Sequence, residues 1–226
     1  MSASTIDHTK LAAITALASG AHEQRDGAMC AMEAAAYIAN EPWSDHPQCV
    51  SPVIAAFMRS WNDGLPDADR TRLLLPLIPD TIGTRTTDAD EETRAWMATD
   101  WLVRVHTPAW LRLAGLTKHA QALESLARIA DATLAKAAHP TIAAARAAAW
   151  AAAGAAAGAA AWAVARAAAG DAARDAARAA AWDAARDAAR AAAWDALVPT
   201  VSTLQRSACD LVRAMCAVGR LAPESA

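Results

Sequence analysis

Cys30, Glu33, His46 and Cys49 come nearest in this sequence to a metal site. Zinc takes thiolate, imidazole and carboxylate ligands in tetrahedral sets. Cys30 and Glu33 are spaced to share one face of a helix, and the string His46-Pro-Gln-Cys49 can bring two further ligands from a loop. A structural zinc site normally shows two short paired spacings, and here only the HxxC half is present. The competing reading, a buried structural cysteine with a capping histidine, therefore has the advantage. No cofactor is called for otherwise.

Two other groupings could do work. The run His22-Glu23-Gln24-Arg25-Asp26 can supply acid–base groups near Glu33, although a charge run of this kind is normally a solvated loop. Trp96, Asp100, Trp101, Arg104, His106 and Trp110 bring tryptophan and charge together on one segment. Trp and Arg dominate the energetics of protein interfaces, which makes Trp96, Trp101, Arg104 and Trp110 candidate contact residues. A Trp-rich core with Arg104 at its edge is the blander expectation. Cys209 and Cys216 lie seven apart at the end of the chain, on one helical face, and read as core. There is no phosphate-binding glycine loop, nucleophile elbow, HExxH or ExxH set, so no active site can be named.

The elements that must position these residues all read as helices. Ile6, Leu11, Ile14 and Leu17 predict a first helix closed by Gly20, and a second runs from about Gly27 to Asn40 with Met29, Met32, Ala36 and Ile38 inward. Glu41–Gln48 is a loop. Ser51-Pro52 caps a helix through Val53, Ala56, Phe57 and Trp61, and Gly64-Leu65-Pro66 ends it. Asp67 is placed to cap a short helix to Leu75, and Asp80–Thr87 reads as irregular. The acidic run from Asp88 suits a helix N-terminus. Thr107-Pro108 restarts that helix, Thr117 caps the next, and Leu123, Leu126, Ile129 and Leu134 carry it to His139-Pro140. A last amphipathic helix holds Val201, Leu204, Ala208, Leu211, Met215 and Val218. No segment alternates as a strand does. The fold class is all-α: a bundle of short helices, a long alanine-rich helix or helical hairpin, and a C-terminal amphipathic helix. The expected division is a helical body over 1–139, the alanine-rich helix over 140–198, and a C-terminal helix over 199–226 that packs on the body.

Between Ala143 and Ala196 the non-alanine residues fall on a four-residue grid, from Arg146 and Trp150 through Gly154 and Gly158 to Trp194. The string AARDAARAAAWD occurs twice, at Ala172–Asp183 and Ala184–Asp195. Alanine is the strongest helix former, and acid-first pairs such as Asp171–Arg174 add to it. A step of four advances about 40° around a helix, so the grid circles the axis in roughly 54 Å, far tighter than the ~150 Å pitch of a coiled coil. The grid therefore holds no single face, which also denies a flat ice-binding surface. Expansion of a short repeat in GC-rich DNA explains it, with close helix packing through Gly154 and Gly158 as the functional alternative. Unbroken, the tract would span about 81 Å, against a diameter of about 45 Å for a compact globule of the whole chain. It is either a rod or a hairpin turning near Gly170.

Composition narrows the class of function. The formal net charge is −3 and no basic block is present, so nucleic acid is not an expected partner. MSASTIDHTK carries no signal-peptide pattern, and a cytoplasmic location is the default. Residues 147–165 lack charge, but they also lack Leu, Ile and Phe, and a membrane span is not expected. Four cysteines in 226 residues do not make a disulfide framework.

The stretch from Cys49 to Asp63, with Asp100-Trp-Leu-Val-Arg and Thr107-Pro-Ala-Trp-Leu, resembles a group of uncharacterised alanine-rich helical proteins of actinobacteria and their phages. The resemblance covers roughly residues 28–115. It implies a source, phage- or mobile-element-encoded, and no functional residue. The expectation is thus a non-enzymatic helical protein that acts by contact with itself or another protein, through the Trp/Arg-rich segment and the Gly154–Gly158 region. The alternative is a zinc-stabilised domain or hydrolase using Cys30, His46 and Cys49.

Overall fold

The computed structural model describes residues 5–23, 28–168 and 197–220, with side chains described up to 153 and again from 197. Every regular element among them is helical, and the class is all-α. The chain divides into two compact units, one formed by 1–99 with 205–226 and one by 100–204. The two AARDAARAAAWD copies, the Asp171–Arg174 pair and the Gly170 turn lie outside the described residues.

The first unit is built around α2 (Ala31–Ile38), which packs against α1 (His8–Ala12), α3 (Pro52–Gly64) and α5 (Ile78–Thr81). Every residue of α2 except Tyr37 is buried, so this helix has no polar face. Its three consecutive alanines, Ala34, Ala35 and Ala36, are wholly inaccessible and let its neighbours approach closely. Met29, Met32, Ala36 and Ile38 point inward as the spacing predicts. The first helix is shorter than its hydrophobic spacing suggests, ending at Ala12. Ile14 and Leu17 are still buried, but outside any helix: Leu17 N–H donates to Thr71 Oγ1 (2.9 Å) and Ala18 N–H to Met29 O (2.8 Å). Tertiary hydrogen bonds replace the helical ones there.

Ser51 caps α3 as expected, with Pro52 in the first turn. Asp67 does not cap α4 (Asp67–Leu74). Pro66 holds the cap position without a side-chain bond, and Asp67 pairs with Arg70 at 2.6 Å instead. Of the stretch read as irregular, Asp80 and Thr81 belong to α5, and only residues 82–87 lie outside a helix. Thr87 and Asp90 cap α6 (Asp88–Trp101) reciprocally, Asp90 N–H donating to Thr87 Oγ1 at 3.2 Å and Thr87 N–H to Asp90 Oδ2 at 3.3 Å.

Three arginines close helix C-termini in this unit. Arg70 donates to Asn62 O (2.8 Å) and Leu65 O (2.6 Å) at the end of α3. Arg94, fully buried on α6, donates to Met215 O (3.1 Å) and Val218 O (2.7 Å) at the end of the helix over 197–217, α10. Arg220 donates to Asp80 O and Ile82 O, both at 2.7 Å, behind α5. Each cation sits where orphan carbonyls and the helix dipole favour positive charge.

The second unit contains a π-helical segment (Leu102–His106), α7 (Thr107–Leu113), α8 (Thr117–Glu124) and α9 (Ala132–Ala168). Thr107-Pro108 restarts the α-helix as expected, after a π turn rather than a break: the chain stays helical from Asp88 to Leu113. Proline lacks the N–H that would bond the carbonyl four residues back, and its ring crowds that carbonyl. The π turn widens the helix just ahead of it, with Thr107 N–H donating to Leu102 O and Thr107 Oγ1 to the same oxygen at 2.8 Å.

Thr117 is the first residue of α8 rather than its cap, a position Leu116 holds. The expected run to His139 is broken after Glu124, where Ser125 Oγ turns back to Gln121 O at 2.6 Å. Asp131 then accepts Leu134 N–H at 2.8 Å and starts α9 afresh. Pro140 lies inside α9 and does not end it. Lys136, whose carbonyl loses its donor, is exposed, and the alanines on either side keep the helix continuous. Gly154 and Gly158 are helical as well.

Along α9, burial follows a seven-residue spacing through Ala138, Ala145 and Ala152, with Leu134, Ile142 and Ala149 flanking it. The four-residue grid does not follow that seam. Arg146 and Trp150 are exposed, Trp150 by 74%. Among the described residues no helix is long and apolar enough to cross a membrane.

Candidate functional site

The four residues of the sequence-predicted zinc set are not gathered. Cys30 caps α2, its sulfur accepting Glu33 N–H at 3.5 Å, and Glu33 Oε2 accepts Cys30 N–H at 2.7 Å. The same carboxylate accepts His22 N–H at 2.5 Å and His22 Nδ1–H at 2.8 Å. Glu33 is 1% exposed, and these bonds satisfy both its oxygens. His46 is exposed and paired with Asp45 at 2.6 Å. Cys49 is buried, and its thiol interacts with Glu41 rather than with His46. No group of three or more His, Cys, Asp or Glu side chains among the described residues has metal-binding geometry.

Nor does the cluster offer a nucleophile at neutral pH. Burial pushes the Cys30 thiol up to about 12, and the thiols of Cys49 and Cys216 likewise to about 12. A thiol held there carries no useful thiolate fraction at pH 7. His22 is fixed by Glu33 and by Trp43, whose Nε1–H donates to His22 O at 2.7 Å. The expectation that the His22 loop lies near Glu33 is met by His22 itself, as a half-buried tether between that loop and α2. Gln24, Arg25 and Asp26 lie outside the described residues.

The Trp/Arg segment is arranged differently. Trp96 Nε1–H turns back to Glu92 Oε1 at 3.3 Å on its own helix. Beyond it, the Trp101 and His106 rings lie 5.2 Å apart and the His106 and Trp110 rings 6.1 Å. Trp110 Nε1–H donates to His106 Nε2 at 3.1 Å, which puts the histidine proton on Nδ1. Partial burial lowers the His106 pKa and keeps the ring neutral. Arg104 reaches Asp100 at 3.4 Å and Glu124 O at 3.4 Å, while its buried Nε has no partner. Asp100 also accepts Ile129 N–H at 2.7 Å, tying the α8–α9 connection to the last turn of α6, just ahead of the π segment.

The outward face of this segment is apolar. Leu102 is 50% exposed, Val105 41%, Trp110 37% and Leu113 40%. Their spacing of three, five and three residues follows one side of a helix, and the π turn falls in its middle. Leu113 also borders a shallow depression of about 380 Å³ shared with Arg112, Pro199 and Thr203. The inward face of the same segment is apolar too. Val103, Thr107 and Leu111 line a cavity of about 240 Å³, closed by Leu123 on α8 and by Ile142, Ala145 and Ala149 on α9.

Sequence reasoning selects Trp101, Arg104 and Trp110 and misses Leu102, Val105 and Leu113, because apolar residues at helical spacing read as core by default. Pro108 within a helical pattern is the signal that the turn before it is irregular. Side chains around Gly154 and Gly158 lie outside the described residues.

The fold and this surface define the class only broadly: an all-α chain with an exposed apolar stripe on a π-interrupted helix. Compared with protein families, with curated proteins and with solved structures, the chain finds no match.

Proposed function

We propose that this chain is a non-enzymatic helical interaction protein and that the face Leu102–Val105–Trp110–Leu113 is its contact surface. One observation carries the reading. Six large hydrophobic residues are exposed among the described residues, and four of them fall on this one face. Scattered apolar residues on a surface need no explanation, but a contiguous stripe does. A helix meets such a stripe through anchors at three- and four-residue spacing, with Trp110 as the largest. The π turn suits this role, since such turns recur at functional positions.

Self-association is the first form to test. Sedimentation velocity over a concentration series is expected to show a reversible dimer for the wild type. Leu102→Glu with Leu113→Glu should raise its dissociation constant at least tenfold, about 1.4 kcal/mol, with the melting temperature unchanged. A wild type that stays monomeric would remove the self-association form. Equal dimerisation by the double variant would remove the stripe as the contact.

A further inference from the structure

We infer that the 240 Å³ cavity of the second unit binds a small linear aliphatic carboxylate, its chain among the apolar walls and its head group on Arg146. The cavity is independent of the stripe, which occupies the opposite face of the same helical segment.

The cavity exists because the α9 wall is made of small residues. Ala145 and Ala149 face the larger side chains of Val103, Leu111 and Leu123, so the space between the helices is not filled. Protein interiors are otherwise close-packed, and an empty apolar space forfeits dispersion contacts that a ligand restores. With apolar walls the space is a poor host for water, which needs two to four polar partners. Its size lies just under the ~300–1,000 Å³ of drug-sized sites, so the ligand is small. Thr107 is the one polar uncharged residue in the lining, and its hydroxyl proton is already committed to Leu102 O.

Arg146 gives the ligand its charge. Among the described residues it is the only charged one that lines the cavity, it is exposed, and it has no hydrogen-bond or ion-pair partner. The other arginines of the unit with described side chains near α7 are committed, Arg104 to Asp100 and Arg112 to Glu124 at 2.5 Å. A guanidinium at the rim of an apolar cavity presents a fork of donors that matches a carboxylate. An aliphatic cation would be repelled there, and an aliphatic alcohol would gain the walls without the charge.

Titration calorimetry with octanoate, octanol and octyltrimethylammonium on the full chain tests this. Octanoate is expected to bind at least tenfold more tightly than octanol, and the cation not at all. Arg146→Gln should bring octanoate down to the level of octanol while leaving octanol unchanged, and Leu102→Glu should alter neither. Arg146 makes no contact that the fold relies on, so this variant folds. Ala149→Leu, checked for unchanged helical circular dichroism, should abolish binding of both. Octanoate binding that survives Arg146→Gln, equal binding of the cation, or no binding of octanoate would each overturn the assignment. Co-sedimentation with phosphatidylcholine vesicles that Arg146→Gln abolishes would also overturn it, by moving the acyl chain to a bilayer.

Discussion

Both units use arginine to close the C-terminus of a helix, and they use it with different completeness. In the first unit Arg94 is fully buried, and every guanidinium nitrogen finds an acceptor: Met215 O, Val218 O, Thr86 Oγ1 and Glu91 Oε1. In the second unit Arg104 reaches the end of α8 only at 3.4 Å, meets Asp100 only at 3.4 Å, and leaves its buried Nε unpaired. A satisfied buried charge locks its surroundings, because removing its partners strands it. A half-satisfied one holds them loosely. One unit is thus organised around closed polar clamps, the other around a thin apolar seam with a cavity behind it and an apolar stripe in front. Candidate binding surfaces belong to the second.

The sharpest way to break this contrast is to remove the two arginines in turn. Arg94→Met leaves Glu91 with Ser51 but without its cation, and two helix-end carbonyls without donors, in a largely buried site. The expected loss is about 3–5 kcal/mol, the usual cost of breaking a buried pair. Arg104→Met removes longer bonds and also removes the unpaired Nε, so its cost should be about 1 kcal/mol. Urea unfolding monitored by circular dichroism measures both. Equal losses would show that the two clamps are equivalent and that the contrast is only one of geometry.

Alanine supplies the next test, since each unit contains an alanine-rich helix. The α2 residues Ala34, Ala35 and Ala36 are enclosed on all sides, whereas Ala143 on α9 is exposed. Ala35→Leu should overpack the first unit and cost about 1–3 kcal/mol. Ala143→Leu should stay within about 0.5 kcal/mol of the wild type, as surface changes do. Thermal unfolding of the two variants side by side reads the difference. A neutral Ala35→Leu would mean that α2 is not packed as closely as its burial implies.

The same pair of helices shows what was legible in the sequence. Helix identity was legible, because Ser51-Pro52, the acidic run at Asp88 and the alanine content are local signals that act through the backbone. Burial of alanine was not legible: Ala35 and Ala143 look alike in sequence, and only their neighbours distinguish them. Tertiary bonds decided the misread ends. Thr71 and Met29 unwind the chain after Ala12, and Asp131 restarts a helix that the spacing of Ile129 and Leu134 had joined. For the sites the pattern reverses. Cys30 and Glu33 do meet, but not on one helix face: Cys30 is the extended N-cap before Ala31, and the local backbone N–H groups use both side chains as a capping box. Of the stripe only Trp110 was legible, since tryptophan advertises contact where leucine and valine do not; Trp101 and Arg104, selected with it, are half-buried beside it.

The smallest expected effect is a pH dependence confined to the second unit. His106 lies between Trp101 and Trp110, with Nε2 accepting the Trp110 indole N–H. Partial burial lowers its pKa from the ordinary 6.5. As pH falls through 6.5 the unfolded chain takes up a proton before the folded one does, so stability is full above that value. It declines as pH drops further and levels off below the folded pKa. Protonation also removes the acceptor for Trp110, which should loosen that ring within the stripe. His106→Gln keeps a side-chain acceptor and has no proton to take up. Melting temperatures measured from pH 8 to 5 should fall for the wild type and fall less for His106→Gln, with Trp110 fluorescence following the same window. Identical pH profiles for the two proteins would show that the histidine is already solvated in the folded state, and that the stripe is open to water at its centre as well as at its edges.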